Sequence, residues 1–278
     1  MLKTLFAIEE DAPLAAAVKP AAPSTAELRD ECAARAGVYR LLSGVFVEEP
    51  GVDFLAALRS DEVLQSLADA GVAFDADFTG AAAETLAEQL ACEYTTLFAA
   101  SGGFPPVESV RLTGRYQQDP HFQVGQIYAR CGFVLERGRF SVFPDQLGVE
   151  LMFIAELLDR CTTALDAGDM AEYKRLEREI KRFWSLHLGR WVRGYCGLIE
   201  RAAQHSFYRE MARFLAGFAA EEVAAMGLRI EELDHGRVVV PKSEIQVEFN
   251  PDEPVCGGCG PAPEAKPGAA VHTLHDLR

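Results

Sequence analysis

The feature that most constrains this chain is a stripe of apolar residues in its second half. Leu147, Leu151, Ile154, Leu158, Cys161 and Leu165 follow one another at alternating steps of four and three. A strand turns its side chains over every second residue, so this rhythm gathers apolar groups on one face only in an α-helix. Other segments repeat the pattern. Leu28, Cys32, Tyr39, Leu42 and Phe46 fall on one stripe that starts after Ser24, where Ser24 and Glu27 have the spacing of a capping box, and Pro50-Gly51 stops it. Residues 52–67 read as a shorter helical region, and a turn near residues 69–77 leads to Leu86, Leu90, Tyr94 and Leu97 on a third stripe.

Helical spacing returns with Val124, Tyr128, Cys131 and Leu135 and stops at Gly138. Pro144 suits the first turn of the helix that carries the 147–165 stripe, because its missing N–H has no helical partner there. Residues 170–188 carry an outward basic face of Lys174, Arg175, Arg178, Lys181 and Arg182, most simply a solvated face with one attractive pair, Glu177–Lys181. Trp184, Trp191 and Tyr195 continue the apolar side, and a last helix holds Phe207, Met211, Phe214 and Phe218.

The expected fold class is all-α: a single multi-helix bundle over residues 24–235. A flexible Ala/Pro-rich arm, residues 1–23, precedes it. An extended or hairpin segment at 236–250 and a flexible tail at 251–278 follow. Residues 99–119, AASGGFPPVESVRLTGRYQQD, have no period and hold adjacent prolines, so they predict a long loop; such loops inside a domain are usually functional.

Composition excludes several functions. The chain of 278 residues has a net charge of −15, which opposes binding to nucleic acid and fits either solubility or a basic partner. The apolar run at residues 5–8 is short and is interrupted by Glu9, Glu10 and Asp11, unlike a signal peptide. No window approaches the ~18 apolar residues of a membrane span, so a cytoplasmic protein without membrane insertion is expected. Five of the seven cysteines, Cys32, Cys92, Cys131, Cys161 and Cys196, lie in helical patterns and read as small buried hydrophobes.

Catalytic parts are missing too. The chain has no GxSxG, P-loop or GxGxxG motif. A di-iron bundle needs two Glu-x-x-His pairs, and Glu232-x-x-His235 is a single copy. His121, His187 and His205 are isolated; His187, between Phe183 and Trp191, reads as a hydrogen-bonded, partly buried imidazole. These absences predict a protein that is not an enzyme.

Four short motifs occur in order. They are Glu93-Tyr94-Thr95-Thr96-Leu97-Phe98; Phe104-Pro105-Pro106-Val107-Glu108-Ser109-Val110; Tyr128 with Gly132-Phe133; and Phe143-Pro144-Asp145-Gln146-Leu147-Gly148-Val149-Glu150-Leu151. This series resembles the TorD/DmsD/NarJ family of redox-enzyme maturation chaperones over about residues 26–220. One position departs: Gln146 stands where the family pattern has histidine, so it hydrogen-bonds but does not titrate near neutrality.

The resemblance implies an all-helical chaperone; the absence of nucleotide motifs predicts that it requires no cofactor, and exposed loop or hairpin segments allow a monomer or a domain-swapped dimer. Its partner would be the precursor of a molybdopterin-dependent oxidoreductase, held by its twin-arginine leader, its apoprotein body or both, before export. A leader has a basic head and an apolar stretch, so its receptor needs a greasy wall and a fixed acid. The implied peptide-binding residues are Tyr94, Leu97 and Phe98 as the wall, Pro105 and Pro106 as a rigid rim, and Asp145, after Pro144, as the partner of a guanidinium. Glu108, Ser109, Tyr128, Pro144, Gln146 and Glu150 complete the set. Each carboxylate has a plainer role: Asp145 could oppose the helix dipole, Glu108 could cap the loop, and Glu150 could be solvated.

The tail lies outside the resemblance. Cys256-Gly-Gly-Cys259 and His272-Thr-Leu-His275 together offer two thiolates and two imidazoles, a tetrahedral set for zinc. The intervening residues have no finger-like helix, so any site is a loose clip, and coincidental pairs in a mobile tail are the plainer account. The alternative function this suggests is a metal-binding or metal-delivery accessory protein.

Overall fold

A computed structural model describes residues 23–135 and 143–238. Helices account for its secondary structure: α1 (Thr25–Phe46), α2 (Val52–Leu58), α3 (Asp61–Asp69), α4 (Ala76–Thr79), α5 (Ala83–Tyr94), α6 (Glu108–Thr113), α7 (Asp119–Arg130), α8 (Leu147–Asp166), α9 (Met170–Leu186), α10 (Val192–Ala202) and α11 (Ser206–Ala225). A π-helical turn, Thr95–Ala99, extends α5, and a 3-10 turn, Leu188–Arg190, joins α9 to α10. The only β pairing among the described residues is one bridge, Val107 to Gln146. The chain is all-α, as its periodicity predicts.

The capping box forms as read: the Glu27 N–H donates to Ser24 Oγ, and Glu27 receives the Ser24 N–H at 2.7 Å. α1 then lies along α8, with α9 against α8 and α10 against α11. The α1–α8 approach is close because residue 148 has no side chain. A Cβ on Gly148 would sit 2.6 Å from the Val47 nitrogen, and the Ser43 hydroxyl donates to the Gly148 carbonyl at 2.7 Å. Three helices meet at Tyr39, which donates to Glu222 at 2.6 Å and accepts from Trp184 Nε1 at 2.9 Å. Arg35 completes this buried knot with a paired contact to Glu222.

The structure corrects several boundaries. Residues 52–67 are two helices, divided where Ser60 caps α3. The 99–119 loop contains α6, six residues long and ended by Gly114 at φ 73°. α7 stops at Arg130, since Gly132 takes φ 75°, so Leu135 is not helical; Gly138 lies outside the described residues. Pro144 is not in a helical first turn, because α8 begins at Leu147.

The helical region ends at Ala225, not at 235, and residues 227–238 run back over α10 as an extended strap. Leu233 N–H donates to the Arg190 carbonyl at 2.7 Å, and Glu232 accepts the Gly194 N–H at 2.6 Å. A Cβ on Gly194 would fall 1.8 Å from the Asp234 carbonyl oxygen, so glycine is required there. Glu232 is thus a strap anchor rather than half of a metal pair. Residues 236–238 show no strand. The rest of the expected 236–250 hairpin, the 251–278 tail with Cys256, Cys259, His272 and His275, and all but the last residue of the 1–23 arm lie outside the described residues. No described helix is long and apolar enough to cross a membrane.

Candidate peptide-binding groove

Two loop segments that sequence spacing placed far apart are joined backbone to backbone. Glu108 N–H donates to the Asp145 carbonyl and Leu147 N–H to the Pro106 carbonyl, both at 2.8 Å. Proline supplies no amide, but its carbonyl is free to accept, so Pro106 can sit in this bridge. Gln146 caps α8: its Oε1 accepts the Val149 N–H at 3.0 Å, and its Nε2 donates to the Phe46 carbonyl at the end of α1. The residue that departs from the family pattern therefore fastens three segments, α1, the bridge and α8.

A buried polar cluster lies beside the bridge. Asp145 is fully buried, and its Oδ2 accepts both the N–H and the hydroxyl of Ser109. Its Oδ1 lies 3.1 Å from His121 Nδ1. Glu108 is also buried and lies 3.0 Å from Nδ1 of His187, which is itself 2% exposed. The Tyr128 hydroxyl donates to the Pro144 carbonyl at 2.9 Å. Asp145 thus acts as a cap delivered from elsewhere in the chain, holding the start of α6. It stands before the α8 cap rather than in a first helical turn, which corrects its expected position.

Glu150 belongs to the same cluster, and the solvated alternative for it is wrong: it is 0% exposed. Neither carboxyl oxygen makes a hydrogen bond of normal geometry among the described residues, nor does the buried Trp191 Nε1. Burial first, then the charges of Glu108 and Asp145, push the Glu150 carboxyl well above the usual carboxylate range, so it is held neutral. Tyr128 is raised as well, by burial and then by Glu150, Asp145 and Glu108.

Above the bridge opens a groove of about 490 Å³. Tyr94 and Phe98 form one wall, Pro105, Pro106 and Val107 another, and Tyr116 stacked on Phe143 at 5.1 Å a third. Tyr94 and Phe98 meet edge to face at 4.9 Å, and Tyr94 donates to the Phe46 carbonyl at 3.3 Å. The π turn sets this arrangement, with its wide i to i+5 bond from Ala100 N–H to the Thr95 carbonyl. Gly103 lets the following loop fold onto that turn, since a Cβ there would be 2.8 Å from the Thr96 carbonyl oxygen.

Of the residues singled out from sequence, Tyr94, Phe98, Pro105, Pro106 and Gln146 line the groove. Glu108, Ser109, Tyr128, Asp145 and Glu150 are buried, in or against the cluster, and Pro144 joins it through its carbonyl. Leu97 lines a different cavity.

Sequence reasoning missed Glu48 and Glu49, which lie on the groove with Val47. Neither makes an ion pair or side-chain hydrogen bond among the described residues. Burial, and after it the Glu48 and Glu49 charges, raise the Tyr94 hydroxyl, so these charges are felt at the aromatic wall. Their signal was available: two adjacent acids between the end of an apolar stripe and Pro50.

The sequence profile described as nitrate reductase delta subunit matches residues 58–197, half of the chain and the part that builds most of the groove and cluster. No curated protein matches in sequence. Among solved structures, the chain is similar to a candidate redox enzyme maturation protein from Archaeoglobus fulgidus, at 20% identity and a TM-score of 0.40. That similarity covers 67% of this chain and 93% of the archaeal one.

Proposed function

Because the chain belongs to the nitrate reductase delta subunit family, of NarJ and TorD type, whose members are redox-enzyme maturation chaperones, we propose that it guards one molybdenum-containing oxidoreductase precursor in the cytoplasm. It binds the precursor's twin-arginine leader, its apoprotein body or both, while the molybdopterin cofactor is inserted, and performs no turnover chemistry itself. The observation that carries this reading is the groove, apolar on three walls with the acids Glu48 and Glu49, unpaired among the described residues, at its edge. An apolar segment that follows an arginine pair matches both features.

Asp145 and Gln146 serve the groove indirectly, by fixing the bridge that forms its floor. The guanidinium contact belongs to Glu48 and Glu49, which solvent and ligand can reach. Replacing both by Gln keeps shape and removes two charges. Leader affinity should fall about tenfold to a hundredfold at low salt, as expected for charge-assisted bonds at a half-exposed edge. The loss should shrink as ionic strength rises. Calorimetric titration at two salt concentrations is the test, and equal affinity for wild type and the double variant at both would take the acids out of the site.

The tail motif supports a separate proposal, that Cys256, Cys259, His272 and His275 clip a zinc ion. Metal content of the full chain should then exceed that of a chain truncated after Pro254 by one equivalent. Equal content would leave them ordinary tail residues.

A further inference from the structure

Ahead of α1 the chain carries a short segment with the chemistry that suits the groove. Lys3 comes first, then Leu5-Phe6-Ala7-Ile8, then the acids Glu9, Glu10 and Asp11. A cation followed by large apolar groups is the order of a leader in miniature. The run is far shorter than a membrane span, but a groove of about 490 Å³ takes a few large side chains and not a long stretch.

The groove matches this segment in charge as well as in polarity. Glu48 and Glu49 lie on it without an ion pair among the described residues. Arg115 is exposed beside the wall residue Tyr116, and its guanidinium has no partner among the described residues. Lys3 therefore has acids to meet, and the acids that follow Ile8 have a cation, at different parts of one rim.

The segment can reach. The groove sits at the end of α1, where Val47, Glu48 and Glu49 follow Phe46, whereas the segment joins the start of that helix. The helix has 22 residues, so the two points are about 33 Å apart at ~1.5 Å per residue. Residues 9–22 connect Ile8 to Pro23 and span up to about 46 Å at ~3.3 Å each. A tether of this length holds its end near the groove at a roughly millimolar effective concentration.

We propose that residues 2–8 of this chain occupy the groove when no client is bound, with Leu5, Phe6 and Ile8 against the aromatic walls and Lys3 by Glu48 and Glu49, and that a client leader displaces them. The proposal rests on the reading of the groove as a peptide site and adds a competitor built into the chain. A precursor must then outbid the tethered segment, which screens out weakly held apolar peptides.

The test places a photo-crosslinker in the full chain, Phe6→p-benzoylphenylalanine, and mixes that protein with an isotopically heavy copy of itself. Irradiation at low micromolar concentration is followed by peptide mass spectrometry. Docking predicts bonds within one molecule to groove residues such as Tyr94, Pro106 or Tyr116. Excess peptide MLKTLFAIEEDA should abolish them, and the same peptide with serine for its leucine–phenylalanine pair should not. Glu48→Gln with Glu49→Gln should cut their yield about threefold, as for one exposed ion pair. As a second readout, Leu5→Ser with Phe6→Ser in the full chain should bind the probe acetyl-Ala-Arg-Arg-Ala-Leu-Phe-Leu-Ala-amide more tightly than wild type. The gain is about tenfold if the segment fills the groove about nine-tenths of the time. Bonds outside the groove, bonds only between molecules, or equal probe affinity in the two chains would overturn the docking. Groove bonds in a chain that binds no probe, with or without the serines, would contradict the client reading and leave the docking in place.

Discussion

Replacing Glu150 by Gln is expected to stabilise the protein, and to do so more strongly as the pH rises. Glu150 is fully buried beside Glu108 and Asp145, and its carboxyl oxygens lack hydrogen bonds of normal geometry among the described residues. In the unfolded chain the group ionises near its ordinary value of about 4.3. Folding raises that value, by burial first and the two carboxylates next, so the native state must keep a proton that the unfolded state has released. Stability tied to this proton is fully present below the unfolded value and is lost as the pH climbs towards the folded one, at about 1.4 kcal/mol per pH unit. Gln keeps the shape and never ionises. Urea unfolding should give matching stabilities near pH 4 and a growing advantage for the variant between pH 5 and pH 8. An advantage of constant size across that range would mean that Glu150 does not carry the proton. The wild-type residue then reads as a stability cost kept beside the bridge that floors the peptide groove.

The strap gives the second large effect, in the opposite direction. Arg111 and Asp234 form a buried pair with side chains 5% and 2% exposed, joined at 2.6 and 3.0 Å. Arg111 also donates to the Arg237 carbonyl at 2.9 Å and lies over the Tyr195 ring at 5.6 Å. Arg111→Met should cost about 3–5 kcal/mol, because it leaves a carboxylate buried without its cation. Asp234→Leu should cost a similar amount for the converse reason. The double variant should recover most of the loss, since a well-packed apolar pair often equals a buried ion pair. Urea unfolding of all four proteins measures the coupling, and hydrogen exchange at the Leu233 amide reports whether the strap has lifted. A single-variant loss below about 1 kcal/mol would mean that the strap is not held through this pair.

Local rhythm explains how much of this was readable. The helix at Leu147–Asp166 and the capped start at Ser24 follow from spacings of three and four, which are local properties of the chain. The helix Glu108–Thr113 was not readable, because six residues cannot sustain a helix by propensity. It exists because Asp145, thirty-six positions away, caps its first turn. The same distance hid the burial of Asp145, which as a sequence position looked like a surface acid ready for arginine.

Leu97 and Phe98 show a different limit. Both belong to an apolar segment, and only the π turn decides that one faces the groove and the other the second cavity. His187 was read correctly as a hydrogen-bonded imidazole, and the structure adds its partner, Glu108. Glu48 and Glu49 escaped notice because unpaired acids are common in a chain of net charge −15, and only the aromatic walls around them give the pair a meaning.

The central claim is that this fold holds a basic-then-apolar leader segment of a molybdoenzyme precursor. The direct measurement is calorimetric titration of the full chain with such a leader, alongside a version whose arginine pair is replaced by alanine and one whose apolar stretch is broken by serine. The account predicts saturable one-to-one binding of the intact leader, weakened by salt and by either change. Absence of binding at every salt concentration, or equal binding of all three peptides, would contradict it.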